Sequence, residues 1–238
     1  AMVASVLDDK VVNHQILTFI GEQGTYKSSF MLNILPPHLR NYFATKNNSY
    51  QLDKDDYLML VENIIISLEE IDSMTMKEIN QLKAFTTMPQ VKERPPYGRH
   101  KVLMPRVASL CATGNNLTFL TDQTGNRRWL PFHVESIDNP WTTDIPYEGM
   151  YAQAYALIEA GEQYWLNDKQ IKELNERNKQ FLTPDPATEM IVTYFTIPRT
   201  ESETKYMTAS KIAAKFAPRL TISATKIGIA LANLGYEQ

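Results

Sequence analysis

The stretch Gln15-Ile-Leu-Thr-Phe-Ile20-Gly21-Glu-Gln-Gly24-Thr-Tyr-Lys27-Ser28 decides how the rest of the chain is read. Its first part is an unbroken run of apolar and β-branched residues, as expected of a strand buried on both faces. Gly21 ends the run. Lys27-Ser-Ser-Phe-Met-Leu32 then begins a helix, which Pro36-Pro37 stops. The join between them nearly fits G-x-x-x-x-G-K-[ST]. The chemistry needs this order: successive backbone N–H groups turn inward around a phosphate, and the helix N-terminus adds partial positive charge. On this reading Gly21, Gln23, Gly24, Thr25, Tyr26, Lys27, Ser28 and Ser29 bind ATP. Lys27 reaches the β- and γ-phosphates, and Ser28 holds Mg²⁺. Tyr26 departs from the pattern, which has Gly there. Its Cβ and ring must fit beside the phosphates or turn outward, and the backbone is strained if the position needs φ > 0. The competing reading is a plain strand–turn–helix junction with a surface lysine.

A second buried strand, Asn63-Ile-Ile-Ile-Ser-Leu68, runs into Glu69-Glu70-Ile71-Asp72. In nucleotide hydrolases an apolar strand ends there in a metal carboxylate and a base. Glu69 is expected to hold Mg²⁺ through water and Glu70 to orient the attacking water, with Asp72 supporting either. The alternative is a solvated acidic helix start. A helix is expected over 75–86, then a strand over 106–112 that ends in Thr113-Gly114-Asn115-Asn116. Asn115, at the tip of that strand, is the residue chosen to meet the γ-phosphate or the water. Gly-Asn is turn chemistry as well. A last strand runs over 129–134, preceded by Arg127-Arg128. An arginine held at a neighbouring subunit's γ-phosphate can act as a finger. Adjacent residues on an extended chain point opposite ways, so one of the pair is the finger and the other structural. Strands alternating with helices give an α/β fold, a mainly parallel sheet covered by helices.

The texture changes after Val134. Helices are expected over 150–166, from the Asn167 cap to Pro184, and from Asp185-Pro186 through Phe195. Residues 197–205 read as a linker. Two short helices follow, capped by Thr208 and Ser223, the second ending at Gly235. They are compatible with a helix-turn-helix, or with a winged helix cut short at Gln238. Gly228 inside the second is explained by a close helix crossing. The expected division is a nucleotide-binding domain over 1–140, a helical region over 145–197 and a helix-turn-helix-like part over 205–238.

The 238 residues are 43% hydrophobic and 21% charged, which supplies a core and excludes disorder, collagen and coiled coil for the whole. The lone cysteine, Cys111, excludes a disulfide framework and a Cys-based zinc site. Apolar runs reach only about five residues, far short of a bilayer span. There is no secretory pattern. The expectation is a cytoplasmic protein with no membrane partner. A net charge of −3 argues against wholesale nucleic-acid binding, so any such role needs a local patch. Residues 92–106 supply one: Lys92, Arg94, Arg99, Lys101 and Arg106 against Glu93 alone, with Tyr97 and His100 among them. Pro95-Pro96 and Gly98 make it a loop or hairpin. Lys92, Arg94, Arg99, His100 and Lys101 are thus candidates for single-stranded DNA, with one aromatic to stack on a base. An ordinary charged loop reads the same way.

The residues Gly21–Ser28, Ile66–Asp72, Leu82–Thr86, Pro96–Arg99, Pro105-Arg106, Thr113–Asn115 and Leu120–Pro131, in this order, resemble the virulence-associated protein E family. The run from Asp122 to Trp129 is the most specific part. That family is similar to superfamily 3 helicases and to AAA+ ATPases of phage and plasmid replication. The resemblance implies an AAA+-like P-loop fold and nucleotide-site roles for Lys27, Ser28, Glu69, Glu70, Asn115 and Arg127 or Arg128. It also implies a ring homo-oligomer such as a hexamer, each site completed by a neighbour, and a primase as partner or as a preceding region. In related helicases the hairpin before the Asn-bearing strand faces the pore and grips single-stranded DNA. Three functions remain open on sequence: an ATP-driven DNA motor of the helicase type, a nucleotide-binding scaffold with weak turnover, and a small-molecule kinase.

Overall fold

The computed structural model describes residues 1–46, 52–94, 97–120, 126–183, 185–196, 206–217 and 222–236. Pro95-Pro96, Asp122–Gly125, Pro184, the 197–205 linker, Pro218 and Gln238 lie outside them. Two compact units emerge, Ala1–Leu182 and Thr183–Gln238.

In the first unit the elements run α1 (Met2–Leu7), β1 (Ile16–Ile20), α2 (Lys27–Asn33), β2 (Phe43–Lys46), α3 (Lys54–Glu62), β3 (Ile65–Leu68), α4 (Met76–Thr87), β4 (Gln90–Glu93), β5 (Val102–Pro105), β6 (Ser109–Gly114), β7 (Trp129–His133), α5 (Tyr147–Glu159) and α6 (Asp168–Asn178). Five strands form one sheet in the order β2-β3-β6-β1-β7, every pairing parallel. β4 and β5 form a separate antiparallel hairpin. Strand residues alternate between faces. Ile16, Ile20, Ile66, Leu68, Leu110 and Ala112 join Ile79, Leu82 and Phe85 of α4 in the larger core. Leu17, Phe19, Ile65 and Cys111 face the other way, with Met31 of α2. Each buried Ile, Leu, Phe or Met among them contributes about 1.5–3 kcal/mol, so both faces of the sheet are fixed.

The register sets the site. Ile20 stands opposite Gly114, and Leu68 opposite Ala112. The segments leaving β1, β3 and β6 therefore open at one edge of the sheet, the carboxyl edge where open parallel sheets bind ligands.

Several expectations are corrected. The third strand begins at Ser109, not Arg106, because Arg106 turns inward as a buried anchor. The helix expected over 150–166 runs from Tyr147 to Glu159. Gly161, at φ 74, ends it: its N–H reaches Ile158 O and that of Glu162 reaches Leu157 O, a left-handed termination that needs no Cβ. α1, β2 and α3 are elements that the sequence patterns do not announce. α3 carries a complete capping box between Asp53 and Asp56, and Lys46 at the end of β2 pairs with Asp56 at 2.6 Å.

The second unit holds α7 (Pro186–Tyr194), α8 (Ala209–Phe216) and α9 (Ala224–Asn233). Asp185, Thr208 and Ser223 cap them. Met190, Ile191, Ile212, Phe216, Ile227 and Ala230 form its core. The helical stretch expected over 145–197 is thus shared out, α5 and α6 to the first unit and α7 to the second. A Cβ at Gly228 would lie 3.9 Å from that of Ala209, an ordinary contact, so a close crossing does not account for this glycine.

Candidate functional site

Gly21 leaves β1 beneath the end of β7, where a Cβ would come within 2.2 Å of Val134 O; only glycine passes. Gly24 follows at φ 86 and Tyr26 at φ 60, ψ 19. A left-handed turn at a residue other than glycine costs about 1–2 kcal/mol. The tyrosine accepts that conformation and is 42% exposed. Thr25 Oγ1 donates to Glu22 O at 2.8 Å.

Lys27 opens α2 and its side chain is buried. Nζ donates to Gly21 O (2.9 Å), Glu22 O (2.6 Å), Thr25 Oγ1 (3.3 Å) and, more weakly, Asn115 Oδ1 (3.5 Å). The ammonium thus spans the loop and ties it to the tip of β6. Burial lowers its pKa from the usual lysine value, and the carboxylates of Glu69 and Asp72 oppose that shift.

Ser28, the next residue, donates from Oγ to Glu69 Oε2 at 2.7 Å. The same carboxylate accepts from Ser67 Oγ (2.7 Å) and from Thr113 Oγ1. Hydroxyls from α2, β3 and β6 therefore hold Glu69 against the loop. Sequence reasoning missed Ser67 and Thr113; two hydroxyl residues buried near the ends of apolar strands were the available signal. Glu70 is exposed, in the left-handed region at φ 55, ψ 43. Of the three non-glycine residues with positive φ among the described residues, Tyr26 and Glu70 belong to this site. Asp72 Oδ1 lies against Gly114, 3.2 Å from where a Cβ would stand. Gln23 is exposed, and Ser29 O accepts from Asn33 Nδ2.

The structure does not bring every candidate together. Arg127 and Arg128 lie in a 3₁₀ turn, Asn126–Arg128, that leads into β7. Trp129 pairs with Ile16, so they sit at the start of the sheet, five residues or about 16 Å from the loop. Arg127 is exposed and Arg128 half-buried.

The hairpin carries Lys92, Arg94, Arg99, His100 and Lys101, all outside the core, with Tyr97 fully exposed at φ 61. Lys101 pairs loosely with Glu93 at 3.6 Å. Arg106 must be removed from this patch. It is 1% exposed and donates to Ala108 O, Phe85 O, Thr86 O and Asn13 O at 2.6–3.3 Å. Burial lowers its pKa to about 10, so it stays charged at neutral pH.

Among the described residues no three or more His, Cys, Asp or Glu converge as a metal cage. The donors present, the Ser28 hydroxyl and the Glu69 carboxylate beside the loop, fit Mg²⁺, which keeps water and takes substrate phosphates as ligands.

The profile of the virulence-associated protein E-like domain matches residues 1–183. The chain belongs to this family. The match ends one residue past the first unit, so it takes in the loop, the acidic turn, Asn115, both arginines and the hairpin. No curated protein matches the chain. Among solved structures, the apo NrS-1 C-terminal region (305–718) is 14% identical at a TM-score of 0.47, over 100% of this chain and 62% of that one. The A-form apo structure of the same region is 17% identical at a TM-score of 0.40, over 76% and 39%. The chain thus spans about three-fifths of the first structure it matches. Among the described residues no helix is long and apolar enough to cross a membrane.

Proposed function

We propose that this domain hydrolyses ATP with Mg²⁺ and couples hydrolysis to movement on single-stranded DNA, as a helicase-type motor of mobile-element replication working in a ring. The observation that carries the reading is the Ser28–Glu69 hydrogen bond beside buried Lys27. It joins a phosphate-binding loop to an acidic strand end in one unit.

Lys27 and the loop amides hold the β- and γ-phosphates. Ser28 and Glu69 would hold Mg²⁺, with the Glu69 carboxylate fixed in place by its three hydroxyl partners. The cation, when bound, neutralises charge that develops on the phosphoryl oxygens. Glu70, exposed at the mouth, orients the attacking water, and Asn115 contacts the γ-phosphate. Arg127 lies too far to serve its own site and reaches the site of a neighbouring subunit; Arg128, half-buried, is the structural member of the pair. Lys92, Arg94, Arg99, His100 and Lys101 contact DNA phosphates while Tyr97 stacks on a base.

The test is ATP hydrolysis by the wild type and by Lys27→Ala, each with and without single-stranded DNA, with the mass of the assembly measured alongside. Stimulation by DNA and loss in the variant are expected. Hydrolysis indifferent to DNA, by a protein with no salt-sensitive DNA binding, removes the motor. The strain at Tyr26 supports a second reading, a nucleotide-bound scaffold with little turnover. A sharp rise in hydrolysis on Tyr26→Gly would favour it.

A further inference from the structure

β7 is an outermost strand and, among the described residues, pairs with β1 alone. Its outer edge leaves main-chain carbonyls to be satisfied by other means. The end of α6 does this. Asn178, which is fully buried, donates from Nδ2 to Asn126 O and to Trp129 O, both at 3.0 Å. Arg177 donates to Pro131 O at 3.0 Å and lies over the Phe132 ring.

The two bonds from Asn178 fall on either side of Arg127-Arg128. One amide group therefore closes the turn that presents Arg127 and fixes it to the sheet edge. The remaining polar atom, Oδ1, is buried and has no hydrogen-bond partner among the described residues. An unpaired buried carbonyl is unfavourable, so what this side chain contributes is its two donors. An arginine reaching into another subunit depends on such anchoring. The side chain is long and loses much rotamer freedom on docking, and a misplacement of about 1 Å can cost about 10²-fold in rate.

We propose that Asn178 is a positioning residue for Arg127, holding the turn so that the guanidinium enters the neighbouring subunit's nucleotide site. This rests on the reading of Arg127 as a finger. Asn178→Ala removes both donors without burying a charge. In the full chain, with Mg²⁺ and single-stranded DNA, its affinity for a fluorescent ATP analogue is expected within about twofold of wild type, while turnover falls about 10²-fold. The double variant Asn178→Ala/Arg127→Ala is expected to be no slower than Arg127→Ala alone, since both act through one group. Backbone amide exchange over 127–130 is expected to quicken. Should Asn178→Ala melt below the assay temperature, Asn178→Ser, whose shorter hydroxyl cannot bridge both carbonyls, replaces it in the same cycle with a loss in the same direction. Unchanged exchange, or losses that multiply in the double variant, overturns the proposal. An active wild type in which Arg127→Ala is slow and Asn178→Ala is not overturns the positioning role alone and leaves the motor standing. A wild type without hydrolysis, or Arg127→Ala as fast as wild type, takes both down.

Discussion

The Gly21–Ser28 loop and the β4–β5 hairpin both carry cationic side chains, and they treat them in opposite ways. Lys27 is buried, wired to four oxygen atoms, and held below its ordinary pKa by that burial. The cations of the hairpin stand in solvent, with the loose Lys101–Glu93 pair beside them. The first arrangement suits a single ligand that arrives with its own negative charge and enters a prepared contact. The second suits a polymer met at many equivalent phosphates, where displaced counterions supply the affinity. Arg106 sits at the foot of the hairpin but follows the first pattern, since its guanidinium serves main-chain carbonyls.

Replacing Arg106 separates it from the hairpin most strongly. Arg106→Ala removes the donor that serves Phe85 O and Thr86 O of α4, Ala108 O just before β6 and Asn13 O before β1, and should cost about 3 kcal/mol or more in a urea titration. If Arg106 belonged with the exposed cations, the titration midpoint would hardly move. Lys27→Ala acts on the other side of the contrast: turnover drops at least about 10²-fold, in line with the loss of one preorganised donor, while the fold survives by circular dichroism. In the hairpin, Arg99→Ala with Lys101→Ala should weaken single-stranded DNA binding roughly tenfold and make the salt slope shallower by about 0.7 for each phosphate no longer neutralised. Basal hydrolysis and melting temperature stay level. A DNA affinity unaltered by this pair would leave the hairpin without its role. The smallest effect belongs to Tyr26→Gly, which relieves the left-handed strain but frees the unfolded chain, for a net gain of about 1 kcal/mol or less. A lowered denaturation midpoint would mean that the freedom gained by the unfolded chain outweighs the strain released in the loop.

Legibility follows the same divide. The central strand, the loop and the acidic turn can be read because each residue's place in a spaced pattern fixes its geometry. Cation chemistry pairs Ser28 with Glu69 across 41 positions, and the fold joins them. Arg106 is hidden from such a reading because charge density along a segment says nothing about which side chain turns inward. β2 and α3 escape notice because a four-residue edge strand and a helix with a polar first turn leave weak periodicity. Asn178 falls at a core position of an amphipathic helix, between Leu174 and Phe181, and a polar residue on an apolar stripe is itself a signal of a buried donor. The placement of both arginines depends on a parallel register between residues more than a hundred positions apart, which no local pattern encodes.

That long-range register has a consequence during synthesis. β1 leaves the ribosome with both its flanks open, and its partners β6 and β7 begin only at Ser109 and Trp129. At roughly 5–20 residues per second the nearer partner follows after about 5–20 s. Through that interval a strongly apolar strand has nothing to pair with. Unpaired apolar edges invite aggregation, and slow translation of the intervening segment would lengthen that exposure.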